Sequence, residues 1–143
     1  EIVCAFLLGQ LEAMQAITAK RCEMFQRYEQ RLAVLQQKEL AQLPYAPEHC
    51  RSNCHMFYLV VRDQETRDRL IAHLRTRSIH AVFHYVPLHV SPMGARFGYK
   101  PGDLPRTESI SAGLLRLPMY HELTESQQHH IIDEVLQFFG IRE

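Results

Sequence analysis

Hydrophobic positions in the first forty residues recur every three or four residues, which is the spacing of one face of a helix. A single straight helix over residues 3–39 would be about 55 Å long, whereas a domain of this size is only about 35 to 40 Å across. We therefore expect part of the helix to lie against another body. Because glycine lies inside the stripe, we also predict a kink between Gly9 and Ala16. The stripe consists of Val3, Leu7, Leu11, Met14, Ile17, Phe25, Tyr28, Leu32 and Leu35.

The two ends of this helical region differ in pattern. Residues 2–8 are apolar on every side, which is typical of a helix that is buried all round. Residues 15–38 are amphipathic and need only one apolar neighbour. A coiled-coil hairpin is the alternative interpretation, although the repeat is short for one.

Beyond Pro44 and Pro47, which end the helical region, short strand patterns alternate with helical ones. Helix starts are predicted at Asp63, at Pro105 and at the capping box that begins with Thr124. We predict an α+β fold with a small, mainly antiparallel, three-stranded sheet and helices on one face. The three predicted strands are residues 55–61, 78–83 and 114–117, and a Gly- and Pro-rich loop is predicted over 90–104.

Composition narrows the function classes. The chain has 143 residues, enough for one domain, and its formal net charge is zero, so it lacks the basic patch that nucleic-acid binding requires. No apolar run approaches the roughly 20 residues that cross a bilayer. The chain begins at Glu1 with no basic segment of the signal-peptide type, and it is expected to start within an element. We expect a cytoplasmic protein without nucleic-acid or membrane partners.

The best metal candidate is the cluster His49-Cys50-x3-Cys54-His55. Two to four residues between cysteines suit structural zinc, but such sites normally add a second, distant pair of ligands. The sequence shows no such pair. We therefore predict reduced thiols and no metal site.

An apolar strand over residues 81–83 ends in His84, Tyr85, Pro87 and His89. Polar rings at the mouth of a buried strand are costly unless they meet water, a partner or a ligand. From the residues alone, ordinary surface histidines with Tyr85 packed on the core are the favoured interpretation, and a ligand site is the alternative.

Four segments, in their order and spacing, resemble the C-terminal part of the DegT/DnrJ/EryC1 sugar-nucleotide aminotransferases, which are fold-type I pyridoxal-phosphate enzymes. The resemblance extends from Glu1 to about Phe139. Within the family, it is greatest to the enzymes that convert TDP-4-keto-6-deoxyglucose into a 4-amino sugar for surface polysaccharide of the O-antigen or enterobacterial common antigen type. The four segments are residues 5–12, 55–58, 83–89 and 115–120.

The resemblance implies a two-domain subunit in which a large N-terminal domain holds pyridoxal phosphate through a lysine Schiff base. By it, residues 1–40 are a linking helical segment, residues 41–143 are the small C-terminal α/β domain, and the large domain is absent. None of the three lysines has the sequence setting of the cofactor lysine, so no catalytic or cofactor-binding residue is predicted, and this fragment is expected to be inactive and free of the cofactor. The lysines are Lys20, Lys38 and Lys100.

The resemblance also implies that His84, Tyr85 and His89 contact the substrate. Histidine and tyrosine can donate hydrogen bonds to sugar hydroxyls and a diphosphate without a permanent buried charge. The implied partners are a nucleotide sugar, an amino donor that is normally glutamate, and a second copy of the subunit. The alternative is a stand-alone α+β binding or dimerisation module whose histidine-rich turn binds a small anion or a metal.

Overall fold

The long helical region consists of two helices, α1 (Ile2–Glu12) and α2 (Met14–Gln37), which meet at Ala13 with a bend of 58°. The predicted kink is therefore confirmed. This computed structural model describes residues 1–141, so residues 142 and 143, the end of the predicted small domain, lie outside the described residues. Across the described part, no single helix is long and apolar enough to cross a membrane, although α1 and α2 taken together, with their bend, meet that test by length and composition.

Helix α1 has no buried residue, and its apolar side chains face outward, with Ile2 88% and Phe6 72% exposed. Helix α2 instead joins the hydrophobic core through one stripe. Its last turn ends at Gln37, before the prolines, and Glu39 then takes a left-handed φ of 56°. The buried stripe of α2 consists of Met24, Tyr28, Leu32 and Leu35.

Over residues 1–141, the sheet has four strands, one more than predicted: β1 (Ala41–Gln42), β2 (Phe57–Val61), β3 (Val82–Phe83) and β4 (Leu114–Leu117). Their order is β1-β2-β4-β3, with every pair antiparallel. The additional strand, β1, is too short for a period-two pattern to reveal it. The second predicted strand, residues 78–83, is also shorter than expected, because the Ile79 N–H bonds to the Leu74 carbonyl and completes the end of a helix.

Helix starts follow the local signals. The Asp63 carboxylate accepts from the Thr66 N–H at 2.8 Å, and the Thr124–Gln127 capping box is formed. The predicted loop over residues 90–104 contains a five-residue helix that Ser91 caps. The helices after α2 are α3 (Gln64–Thr76), α4 (Pro92–Arg96), α5 (Pro105–Gly113) and α6 (Glu125–Phe138).

Buried and half-buried side chains alternate along β2 and β4, so the sheet has two different faces. The inner face packs against α2 and α3, and its Phe57 ring stacks on Tyr28 with centroids 5.0 Å apart. We call the other face the outer face; its side chains are half-buried. The α+β fold with an antiparallel sheet and helices mainly on one face is thus confirmed. The outer face consists of Tyr58, Val60, Val82, Leu114 and Arg116.

Candidate functional site

The chain leaves the sheet immediately after β3, in a bend formed by residues 84–87. We call it the His84 bend. Tyr85 is 67% exposed and Val86 is 61% exposed, so the bend projects from the molecule instead of turning into the core. The His84 ring is half-buried and lies against the Tyr85 ring, with centroids 4.4 Å apart. Two of the three predicted substrate contacts are therefore neighbours.

The pairing of the strands brings a third side chain to these two rings. Arg116 lies on the outer face, where it is the pairing partner of Val82 in β3. Its guanidinium carbon lies 5.8 Å from the centre of the Tyr85 ring, a cation–π contact. From the sequence alone, Arg116 is interpreted as either a pairing residue or an exposed one, and the signal for it is a cation between leucines on a short apolar strand.

Two nitrogens in this group of three side chains are buried without a hydrogen-bond partner, namely Nδ1 of His84 and Nε of Arg116. Buried polar atoms in folded proteins nearly always have a partner, so an orphan calls for an explanation. Within the part of the chain that the structure describes, no carboxylate pairs with Arg116. We call His84, Tyr85 and Arg116 the bend cluster.

The bend cluster carries one fixed charge. Burial, and in second place the positive charge of Arg116, lowers the pKa of His84 below the ordinary value of 6.5. At neutral pH, His84 is therefore an uncharged imidazole beside a guanidinium. An unpaired guanidinium with neutral donors around it suits a phosphate or carboxylate oxygen, because charge-assisted hydrogen bonds are the strong ones.

Replacing Arg116 with glutamine is expected to raise the pKa of His84 while leaving it below 6.5, because the coulombic contribution disappears and the burial remains. The measurement is an NMR pH titration of the His84 ring proton, assigned with a His84→Gln spectrum. The control is Arg75→Gln, which removes an exposed charge from α3 and should leave the pKa unchanged. An identical pKa in wild type and Arg116→Gln would contradict this account of the cluster.

The structure places His89 elsewhere. It is buried, and its Nε2 lies 2.9 Å from the Glu108 carboxylate, which also accepts from the Gly102 N–H at 2.8 Å. The hydrogen bond from His89, followed by that from Gly102, lowers the pKa of Glu108. His89 thus fastens the segment after the bend to α5, and it lines a different cavity from the one lined by His84 and Tyr85. Its role as a substrate contact stays a prediction.

A pyridoxal-phosphate site requires a lysine within bonding reach of a ring held by neighbouring side chains. Lys20 is half-buried on α2, and Lys38 and Lys100 are exposed on other segments. None of the three lines the cavities beside His84 and His89.

The histidine and cysteine cluster is dispersed. Cys50 is exposed, the His55 ring lies 2.7 Å from the Asn53 side chain, and the Cys54 sulfur contacts Cys22 instead. Over residues 1–141, no group of three or more His, Cys, Asp or Glu side chains is arranged to hold a metal ion.

Known proteins are similar to this chain in both sequence and structure. The model of the DegT/DnrJ/EryC1/StrS aminotransferase family matches residues 1–136. The dTDP-3-amino-3,4,6-trideoxy-alpha-D-glucose transaminase of Micromonospora megalomicea subsp. nigra is 31% identical over 138 residues, which are 94% of this chain and 36% of that protein.

Two solved structures show the same fold with sequence similarity. DesV of Streptomyces venezuelae matches with a TM-score of 0.87 and 29% identity, over 97% of this chain and 36% of that one. A DegT DnrJ EryC1 StrS aminotransferase from Brucella abortus matches with a TM-score of 0.76 and 31% identity, over 94% of this chain and 34% of that one. The chain therefore spans about a third of the length of these relatives. With the family model covering nearly all of it, the chain belongs to the DegT/DnrJ/EryC1/StrS aminotransferase family.

Proposed function

We propose that these residues form the small, substrate-side C-terminal domain of a pyridoxal-phosphate-dependent sugar-nucleotide aminotransferase. In this proposal, the whole protein is a cytoplasmic homodimer. It transfers an amino group from glutamate to C4 of a TDP-4-keto-6-deoxyhexose, for surface polysaccharide synthesis. Membership of the family and the third of a relative's length that the chain spans support the assignment to one domain.

The bend cluster is the observation that carries the proposal. A guanidinium, a neutral imidazole and a phenol at one projecting bend match a ligand with a diphosphate and several hydroxyls. An acceptor oxygen from such a ligand would satisfy the buried nitrogens of His84 and Arg116, which otherwise carry a desolvation cost of about 1–3 kcal/mol each. The exposed Tyr85 then closes over the sugar or the phosphate from the solvent side.

In this proposal, the residues of this chain bind the substrate, and the cofactor chemistry takes place elsewhere in the protein. Pyridoxal phosphate, when bound, supplies the electron sink for amino-group transfer, and in this proposal residues outside these 143 hold it. The bend cluster binds and orients the nucleotide sugar, and the His89–Glu108 contact holds the chain that follows the bend. The choice of C4 rests on the resemblance of the four sequence segments, whereas the name of the M. megalomicea relative specifies a 3-amino sugar.

The chain by itself is expected to take up no pyridoxal phosphate in a fixed stoichiometry, since its lysines lie apart and two of them are exposed. The measurement is absorbance in the Schiff-base range after addition of the cofactor, followed by borohydride reduction and mass spectrometry. A full-length member of the family is the positive control. A trapped, one-to-one adduct on a single lysine would refute the assignment of the cofactor site to residues outside this chain.

The second candidate, a stand-alone dimerisation module, is favoured by one observation. Helix α1 exposes a continuous apolar surface that a partner must cover in either case. Under the second candidate, the 143-residue chain forms a dimer through α1 without any further domain. The double variant Phe6→Glu/Leu7→Glu should then be monomeric in analytical ultracentrifugation, without a lower Tm. An in-frame upstream coding segment for a cofactor domain supports the first candidate.

A further inference from the structure

Two thiols from distant parts of the sequence lie in contact. The sulfur of Cys22, on α2, is 2.7 Å from the sulfur of Cys54, which lies just before β2. A disulfide bond is about 2.05 Å long, so the two atoms are within about 0.7 Å of bonding distance. The other two cysteines, Cys4 and Cys50, are both exposed.

The backbone holds Cys54 in this position. Its φ is +51°, in the left-handed region that few residues other than glycine adopt, and its N–H bonds to the Ser52 hydroxyl at 3.0 Å. Cys54 is buried, with 8% of its surface exposed, whereas Cys22 is half-buried and can be reached from solvent. The fixed turn thus directs a buried sulfur at an accessible one.

Metal binding fits this geometry less well than a covalent bond. Two thiolates on one tetrahedral zinc ion, with Zn–S bonds of about 2.3 Å, stand about 3.8 Å apart. The observed separation is more than 1 Å shorter. The described residues also supply no third ligand beside the pair.

We propose that Cys22 and Cys54 are an oxidation site that forms an intramolecular disulfide when the protein meets a peroxide or a disulfide oxidant. With hydrogen peroxide, the Cys22 sulfur attacks the O–O bond and becomes a sulfenic acid as one water leaves. The Cys54 sulfur then attacks the Cys22 sulfur and expels a second water. The two thiols lose two electrons and two protons, and one peroxide is reduced to two waters.

The order of attack follows from the surroundings of the two groups. Burial and the hydrogen bond with Cys22 raise the pKa of Cys54 to about 11, so this residue is a thiol at neutral pH. The accessible Cys22 is therefore the group that meets the oxidant, and Cys54 resolves the intermediate. The resulting bond would tie α2 to the segment that leads into β2.

The test uses the 143-residue chain, reduced and then treated with hydrogen peroxide or oxidised glutathione. We expect intact mass to fall by two hydrogens, and non-reducing peptide mapping to find one crosslink, between Cys22 and Cys54. The Tm should rise by an amount on the order of 10 °C, because the bond closes a loop of about 30 residues in the unfolded chain, and dithiothreitol should reverse the shift.

One matched variant is the double variant Cys4→Ser/Cys50→Ser, which keeps only the contacting pair of cysteines and should behave as wild type. The other is the single variant Cys22→Ala, which should lose both the crosslink and the rise in Tm. Should Cys22→Ala fail to fold, the peptide map of the double variant decides. Alkylation of both Cys22 and Cys54 after the oxidised protein is unfolded without reductant would overturn the proposal. So would crosslinks found only through Cys4 or Cys50, or a zinc adduct retained by the pair.

Discussion

Under the proposed function, replacing Arg116 with alanine is expected to lower kcat/KM for the nucleotide sugar by about 100-fold in the full-length enzyme, the loss expected for a charge-assisted hydrogen bond. Arg116 is the only fixed charge of the bend cluster, and its Nε is buried without a partner. Its removal takes away the charge that would face the diphosphate. Nδ1 of His84 would remain buried without a hydrogen-bond partner. The steady-state assay with the keto sugar as varied substrate measures this loss.

The half-reaction with the amino donor shows whether Arg116 binds the nucleotide sugar or the carboxylate of the amino donor. If the guanidinium binds the nucleotide sugar, the rate with glutamate alone stays within about twofold of wild type. Arg116→Lys should recover only part of the loss, because lysine keeps the charge but not the planar guanidinium, which can bind a phosphate through two parallel hydrogen bonds. Arg75→Ala, on the exposed side of α3, is the control. An equal loss in both half-reactions would contradict the assignment and indicate the carboxylate of the donor.

Gly113→Ala is expected to destabilise the fold by about 3 kcal/mol or more, the range seen for severe overpacking. A Cβ atom at Gly113 would lie 2.0 Å from the Val61 carbonyl oxygen, and also within 3.3 Å of the Val61 nitrogen. Both neighbours are backbone atoms of β2, so the contact can be relieved only if α5 and β4 move away from the strand. Because β4 carries Arg116, that movement should also disturb the bend cluster.

Chemical denaturation with matched glycine variants measures this effect. Gly9→Ala is the control, because an added Cβ there meets nothing within 4 Å and alanine is the better helix former by about 1 kcal/mol. We expect Gly9→Ala to leave the denaturation midpoint unchanged or slightly higher. If Gly113→Ala unfolds at the same denaturant concentration as Gly9→Ala, then β2 and the α5–β4 junction are not as closely packed as described.

Local signals predicted much of the fold. Asp63 and Thr124 each make their hydrogen bond within three residues of their own position, so the sequence around them contains the whole interaction. The kink near Ala13 was predicted from the glycine inside the helical stripe, Gly9. Strand β1 and helix α4 were missed because two and five residues are too few to show a period.

Prediction of the site was less complete, because its contacts join residues that are far apart in the sequence. The family resemblance, rather than the strand-end pattern, predicted His84 and Tyr85 as substrate contacts, and the structure places their rings together. The sequence did not reveal that His89 is buried against Glu108, nineteen residues further along, or that Arg116 reaches the Tyr85 ring. The contact of Arg116 with Tyr85 depends on how β4 pairs with β3, and the residues of neither strand specify that register by themselves. The contact of His89 with Glu108 depends on how the segment after the bend packs against α5.

The sequence by itself determined the family resemblance, the α+β class, the helix starts and the polar rings that follow the second predicted strand, because each of these is expressed in neighbouring residues. Only the tertiary structure decided which side chains meet: Arg116 with Tyr85, His89 with Glu108, and Cys22 with Cys54. Each of these pairs is separated by between 19 and 32 residues. The physical reason is that packing and strand register, rather than hydrophobic periodicity, bring such residues together.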